Sequence, residues 1–295
     1  MLLDPVALAA IADLELVSKR IVDGTISGLH RSPFHGYSAE FSQYRQYRPG
    51  DDLKYIDWKL FARTDRLYTK QFRETTNLLA SIALDASASM NYGVAGGVTK
   101  FQYARLLAAS LAHLISRQGD AVGLTAYGDT IKSYLPSRGG PAHLRSILLT
   151  LGRTDPGGAT ASGAALTRTL DLLKRRGLLI VISDLYDEDE RVEQALQRAA
   201  HIGHEVILFH VLTRDEVELP FKGDVEVEDA ETGRTILSSG GAAARAYRDA
   251  ISQFLERWRS RSATFGIDYV RVLTDEPLDA ALRGYMRRRT IGAVA

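Results

Sequence analysis

LLASIALDASASM, residues 78–90, is a short apolar run that breaks into small polar residues. The run is too short for a buried helix and ends in turn chemistry, so it reads as a buried strand leaving the interior. Beyond it, Asp85, Ser87 and Ser89 stand at every second position. Alternate residues of an extended segment point the same way. Their three oxygens are therefore expected to face one point at the end of the strand. Such a cluster suits a hard cation, and it equally suits a polar turn.

Outward from this stretch, apolar strands alternate with helical patterns. TKFQYARLLAASLAHLISRQ (99–118) repeats apolar residues at helical spacing, and Thr99 with Gln102 has the form of a capping box. DAVGLTAYGD (120–129) reads as a second strand, with TIKSYLP as its hairpin partner across Gly128-Asp129. AHLRSILLTL and ASGAALTRTLDLLKRR read as helices. GLLIVISD (177–184) is the most apolar strand, as expected at the centre of a parallel sheet covered on both faces. DEDERVEQALQRAAHIG reads as a helix ended by Gly203, HEVILFHVL as a strand, and IDYVRVLT as the last strand. FKGDVEVEDAETGRTILSS interrupts the rhythm with a hairpin insertion near 221–239.

This alternation predicts an α/β fold with a doubly wound, mostly parallel sheet. Ligands in such sheets sit beyond the carboxyl ends of the strands, at the switch in strand order. Asp85 and Asp184 end the first and fourth strands, which flank the switch in a 3-2-1-4-5-6 order. Residues 1–76 are different. MLLDPVALAAIADLELVSKR reads as one amphipathic helix, and YRQYR and RLYTKQF alternate like strands. We therefore expect an N-terminal helix plus a small β-rich subdomain over 1–76 and the α/β domain over 77–295.

The 295 residues carry a formal net charge of +1 and no cysteine. The balance gives no global case for nucleic acid or an anionic membrane, and there is no thiolate chemistry. No apolar run reaches the ~18 residues of a spanning helix, and the acidic N-terminus lacks the form of a secretory signal. Cytoplasmic residence is the simplest expectation.

Three segments converge on one chemistry: Asp85-x-Ser87-x-Ser89, PGGAT ending at Thr160, and SDLYD with Asp184 at a strand end. D-x-S-x-S alone fits caps and strand ends as well as a metal. With Thr160 and Asp184 it offers two carboxylates and three hydroxyls to a hard ion such as Mg²⁺, with Mn²⁺ or Ca²⁺ as substitutes. The triplet resembles the metal-ion-dependent adhesion site of von Willebrand factor A domains. That resemblance implies metal ligation by Asp85, Ser87, Ser89, Thr160 and Asp184, with Asp184 acting through water. Many members have T-D-G where this chain has Ser183-Asp184-Leu185.

A second resemblance covers nearly the whole chain. Glu40-Phe41, Arg45, Tyr47, Pro49-Gly50-Asp51-Asp52, Ile56-Asp57-Trp58, Ala62-Arg63, Glu216–Pro220 and Asp229–Gly233 resemble the bacterial domain-of-unknown-function fifty-eight family. That resemblance implies company with a MoxR-type AAA+ ATPase. The chain itself has no G-x-x-x-x-G-K-[ST] loop. The expected function is a non-enzymatic, metal-dependent adaptor that grips an Asp or Glu of a partner, either that ATPase or its client.

Two other classes stay open. A Mg²⁺-dependent phosphoester hydrolase would use an Asp at a strand end, but it wants a second carboxylate where Ser87 stands. An RNA-binding module would use the bases between Arg45 and Arg73, although acids interrupt them. Asp51, Asp52 and Asp57 are expected to be structural: Asp51 or Asp52 as a helix cap, Asp57 paired to an Arg. Arg287, Arg288 and Arg289 are expected to serve a helix C-terminus. The seven histidines show no zinc pairing such as H-E-x-x-H.

Overall fold

The structure is a computed structural model that describes residues 4–11, 13–28, 41–48, 56–72, 78–158, 162–186, 190–218, 225–228, 235–238 and 240–292. In chain order its elements begin with helices α1 (Pro5–Ala9) and α2 (Leu14–Gly28), strand β1 (Phe41–Gln46), helix α3 (Trp58–Thr64) and strand β2 (Tyr68–Phe72). Then come β3 (Leu79–Asp85), α4 (Lys100–Arg117), β4 (Ala121–Tyr127), β5 (Ile131–Arg138), α5 (Pro141–Arg153) and α6 (Ser162–Leu172). The chain continues through β6 (Leu178–Ser183), α7 (Arg191–His201), β7 (Glu205–Leu212), α8 (Arg214–Glu218), β8 (Val225–Glu228) and β9 (Thr235–Ser238). It closes with α9 (Gly240–Thr264), β10 (Asp268–Leu273) and α10 (Leu278–Gly292).

The chain divides into two compact units, 1–32 with 78–295 and, separately, 33–77. The larger unit is α/β, with six strands in the order β10-β7-β6-β3-β4-β5. All neighbours are parallel except β4 and β5, which form the antiparallel hairpin. Every side chain of β6 is buried, because helices cover both faces of the sheet there. One core packs α2, α4, α5 and α10 on one face, around Ile21, Leu107, Leu111, Ile147 and Leu282. The other packs α6, α7 and α9 on the opposite face, around Leu166, Leu170, Leu196 and Trp258.

Helix α4 starts as its sequence predicts. Gln102 N donates to Thr99 Oγ1 at 3.1 Å, and Thr99 N donates back to Gln102 Oε1 at 2.9 Å. The single N-terminal helix is corrected to two. Asp4 caps α1, and Asp13 accepts from Glu15 N and Leu16 N to start α2. The first 32 residues also group with the sheet rather than with 33–77. Amphipathic spacing shows that a face is buried but not which body buries it. Here α2 lays Val17 and Ile21 into the core beside α4.

Within the smaller unit, β1 and β2 pair antiparallel, with Gln46 opposite Tyr68. The helix cap there is Asp57, whose Oδ1 accepts from Lys59 N and Leu60 N, both at 3.0 Å. Asp51 and Asp52, the caps named from sequence, lie outside the described residues. In the larger unit, β8 and β9 pair antiparallel between α8 and α9 in the chain, and the turn at 229–234 is not among the described residues.

Candidate metal centre

Strand β3 sits between β4 and β6, so the chain leaves its two sides in opposite directions. The crevice beyond β3 and β6 is the switch point, and their carboxyl ends deliver Asp85 and Asp184 to it. Both residues are buried.

The D-x-S-x-S stretch does not continue as a strand. Pairing ends at Asp85, and Ser87 N turns back to donate to Asp85 Oδ1 at 2.9 Å. Ser89 opens a single 3-10 turn, Ser89–Asn91. The expected alternation is therefore corrected: a turn, not a pleat, aims these oxygens. In an extended segment, residues two apart lie roughly 6.6 Å from each other. The Ser87 and Ser89 hydroxyls are instead 3.0 Å apart. Two adjacent ligands of an octahedral Mg²⁺, each ~2.05 Å from the ion, stand about 2.9 Å apart. The hydroxyl pair fits that edge.

Asp85 Oδ2 accepts from the Ser183 hydroxyl at 2.6 Å, a contact that ties the end of β3 to the end of β6. Burial, then the Asp184 charge, pushes the Asp85 carboxyl up to about 6, against hydrogen bonds from Ser183 and Ser87 that hold it down. A carboxylate in that position gains from a nearby cation. Each of its oxygens still has lone-pair capacity. On donor type, spacing and unmet charge, the residues fit a hard divalent ion.

The loop expected to bring Thr160 is pinned to the same turn. Gly157 N donates to Ala86 O at 3.0 Å, and Ala88 N donates to Gly158 O at 3.3 Å. Gly158 has φ +84°, a conformation that favours glycine. The Lys132 ammonium clamps the arrangement, donating to Ala86 O and Gly157 O at 2.8 Å and to Asp155 O at 3.1 Å. Thr160 itself lies outside the described residues.

Asp184 is held from several sides. Its Oδ2 accepts from Lys100 Nζ at 2.7 Å, and its Oδ1 accepts from Tyr186 N at 3.3 Å. Its backbone carbonyl accepts from His210 Nε2 at 2.9 Å. A carbonyl only accepts, so Nε2 carries the His210 proton and Nδ1 takes the Tyr269 hydroxyl at 2.7 Å. Burial lowers His210 to about 4, which keeps the ring neutral. Leu185 occupies φ +57°, at the place where the adhesion-site pattern has glycine. Its side chain is buried in the second core, which supports a conformation that costs a non-glycine residue ~1–2 kcal/mol.

The family pattern described as Protein of unknown function DUF58 matches residues 43–260. The chain belongs to the DUF58 family. An uncharacterised Mycobacterium tuberculosis protein, Rv1480, is 32% identical over 234 residues, covering 78% of this chain and 73% of its own. Bacillus subtilis YeaD, also uncharacterised, is 29% identical over 133 residues, covering 45% of this chain and 30% of its own. Among solved structures, BatB from Bacteroides thetaiotaomicron is 21% identical with a TM-score of 0.47, covering 72% of this chain and 98% of its own. The SpRpn10 VWA domain is 13% identical with a TM-score of 0.40, covering 70% and 94%. The α/β description of this DUF58 chain rests on its own sheet.

Sequence reasoning did not assign four groups to this candidate centre: Lys100 and His210, and Glu216 and Ser183, which it quoted only within motifs. Lys100 had a readable signal. It is the first residue of α4, and a cation is disfavoured at a helix N-terminus unless carboxylates surround it. Among the described residues, no three His, Asp or Glu side chains form a metal-holding group. No described helix is long and apolar enough to cross a membrane.

Proposed function

We propose that this chain is a non-enzymatic, metal-dependent adaptor built on a von Willebrand factor A-like domain. Asp85, Ser87 and Ser89 would hold a Mg²⁺ ion, with Thr160 completing the set and Asp184 behind it through water. Bound there, the ion supplies an open coordination position to a carboxylate from another protein. The single observation that carries this reading is the pair of hydroxyls 3.0 Å apart beside a buried, charge-strained Asp85.

This chain's residues supply the rest. Ser183 and the Ser87 amide orient the Asp85 carboxylate. Lys132 and the Gly157–Gly158 backbone hold the turn in place. Lys100 engages Asp184, which suits a carboxylate that reaches the ion through water. The non-catalytic reading draws support from Ser87, which stands where a hydrolase of this kind would want a second carboxylate as general acid. The family resemblance makes a MoxR-type AAA+ ATPase, or its client, the partner proposed.

The test is recovery of bound protein from a lysate with Mg²⁺, with EDTA, and with Asp85→Ala. The reading expects a partner retained only by the unmodified chain with Mg²⁺. Equal recovery in all three arms would count against it.

A further inference from the structure

Lys100 is the unusual residue of this centre. Its side chain is 1% exposed, and its ammonium lies 2.7 Å from Asp184 Oδ2 and 2.6 Å from Glu216 Oε1. Glu216 is in turn fixed by Thr213, whose N donates to Oε2 at 2.7 Å and whose hydroxyl donates at 3.0 Å. The Tyr186 ring covers the ammonium at 4.8 Å and the Tyr92 ring at 5.8 Å. Burial pulls this ammonium down, but Asp184 and Glu216 together outweigh burial and leave it raised. The chain thus keeps a full positive charge in a dry site, at the end of a helix that repels it. An uncharged side chain would avoid both penalties but leave Asp184 and Glu216 without their shared cation.

We infer that Lys100 is a tethered cation that sets the metal response of the centre. It holds the Asp184 carboxylate when no ion is bound, and it keeps that carboxylate from ligating an ion directly. Of the two strand-end carboxylates, Asp85 is then the one left for direct ligation. A divalent ion so held is weakly neutralised and exchangeable, which leaves it disposed toward an external carboxylate. Lys100 is a positioning residue in this scheme, acting through Asp184. The inference rests on the metal reading above, which it deepens.

The experiment is calorimetric titration of Mn²⁺ into the full chain near neutral pH, for the unmodified protein, Lys100→Met and Lys100→Arg. Removing one buried like charge should tighten Mn²⁺ binding to Lys100→Met by at least about tenfold. Lys100→Arg keeps the charge and should stay near the unmodified affinity. A purely structural role would move affinity the other way, since a loosened site binds worse. Should Lys100→Met fail to fold, Lys100→Gln also removes the charge while its amide still donates to the carboxylates, and it should show the same tightening. Unchanged or weaker Mn²⁺ binding in these variants, with the unmodified chain binding, overturns the role of Lys100. No Mn²⁺ binding by the unmodified chain overturns the metal reading and this inference with it.

Discussion

Lys100 Nζ lies 2.7 Å from Asp184 Oδ2, with both side chains 1% exposed, although the residues are 84 apart in the chain. Breaking a buried pair by removing one partner strands the other, at a cost of about 3–5 kcal/mol. Glu216 still partners Lys100, so Asp184→Asn should cost toward the lower end, about 3 kcal/mol. Urea unfolding in EDTA measures it. The double variant Asp184→Asn with Lys100→Met should lose less than the sum of the two single losses, and a strictly additive double variant would argue against coupling.

Stability in EDTA should carry two opposed pH terms. His210 is lowered from 6.5 to about 4, so its neutral form belongs to the fold. Its contribution is present above pH 6.5 and lost as pH falls through about 4, a swing of roughly 3 kcal/mol. Asp85 is raised from 3.8 to about 6, so its contribution is present below 3.8 and lost as pH rises through about 6. Between about 4 and 6 the two nearly cancel. Asp85→Asn should unmask the His210 loss, giving a stability that falls more steeply with acid than that of the unmodified chain. An unchanged slope in the variant would contradict this assignment.

Leu185 combines strain with burial, and two substitutions separate them. Leu185→Ala loses packing and keeps the left-handed backbone, while Leu185→Gly loses slightly more packing and relieves the strain. Large-to-small changes in a core cost about 2–5 kcal/mol, and the strain is worth ~1–2 kcal/mol. Both variants should be less stable than the unmodified chain, with Leu185→Gly the more stable of the two by about 1 kcal/mol. Thermal unfolding decides the order, and a more stable Leu185→Ala would remove the strain argument.

Lys132 clamps three carbonyls from two loops. Lys132→Met should leave the sheet intact and speed amide exchange at Gly157 and Ala88, whose hydrogen bonds the clamp supports. Because the side chain is exposed, global stability should fall by only about 1 kcal/mol. Unchanged exchange at both amides would deny the clamp.

The inner strands of the sheet were legible because each is a largely apolar run bounded by turn residues, and β6 has no polar interruption before Ser183. The capping box of α4 was legible because both halves lie three residues apart. Asp85, Ser87 and Asp184 were legible as a group because strand ends in such a sheet must converge. The mode of convergence was not, since a turn and a strand share the spelling D-x-S-x-S. The pairings of Lys100, Glu216 and His210 were hidden for a different reason. Their partners lie 84, 116 and 26 residues away, and no local period encodes a pairing at that range.

The most direct test of the central claim is a crystal of the full chain grown with Mn²⁺ and read by its anomalous signal. The account predicts one peak beyond β3 and β6, bonded to the Ser87 and Ser89 hydroxyls and the Asp85 carboxylate at ~2.0–2.2 Å. A lattice soaked in Mn²⁺ with no peak there, and with those hydroxyls still bonded to each other, would contradict it.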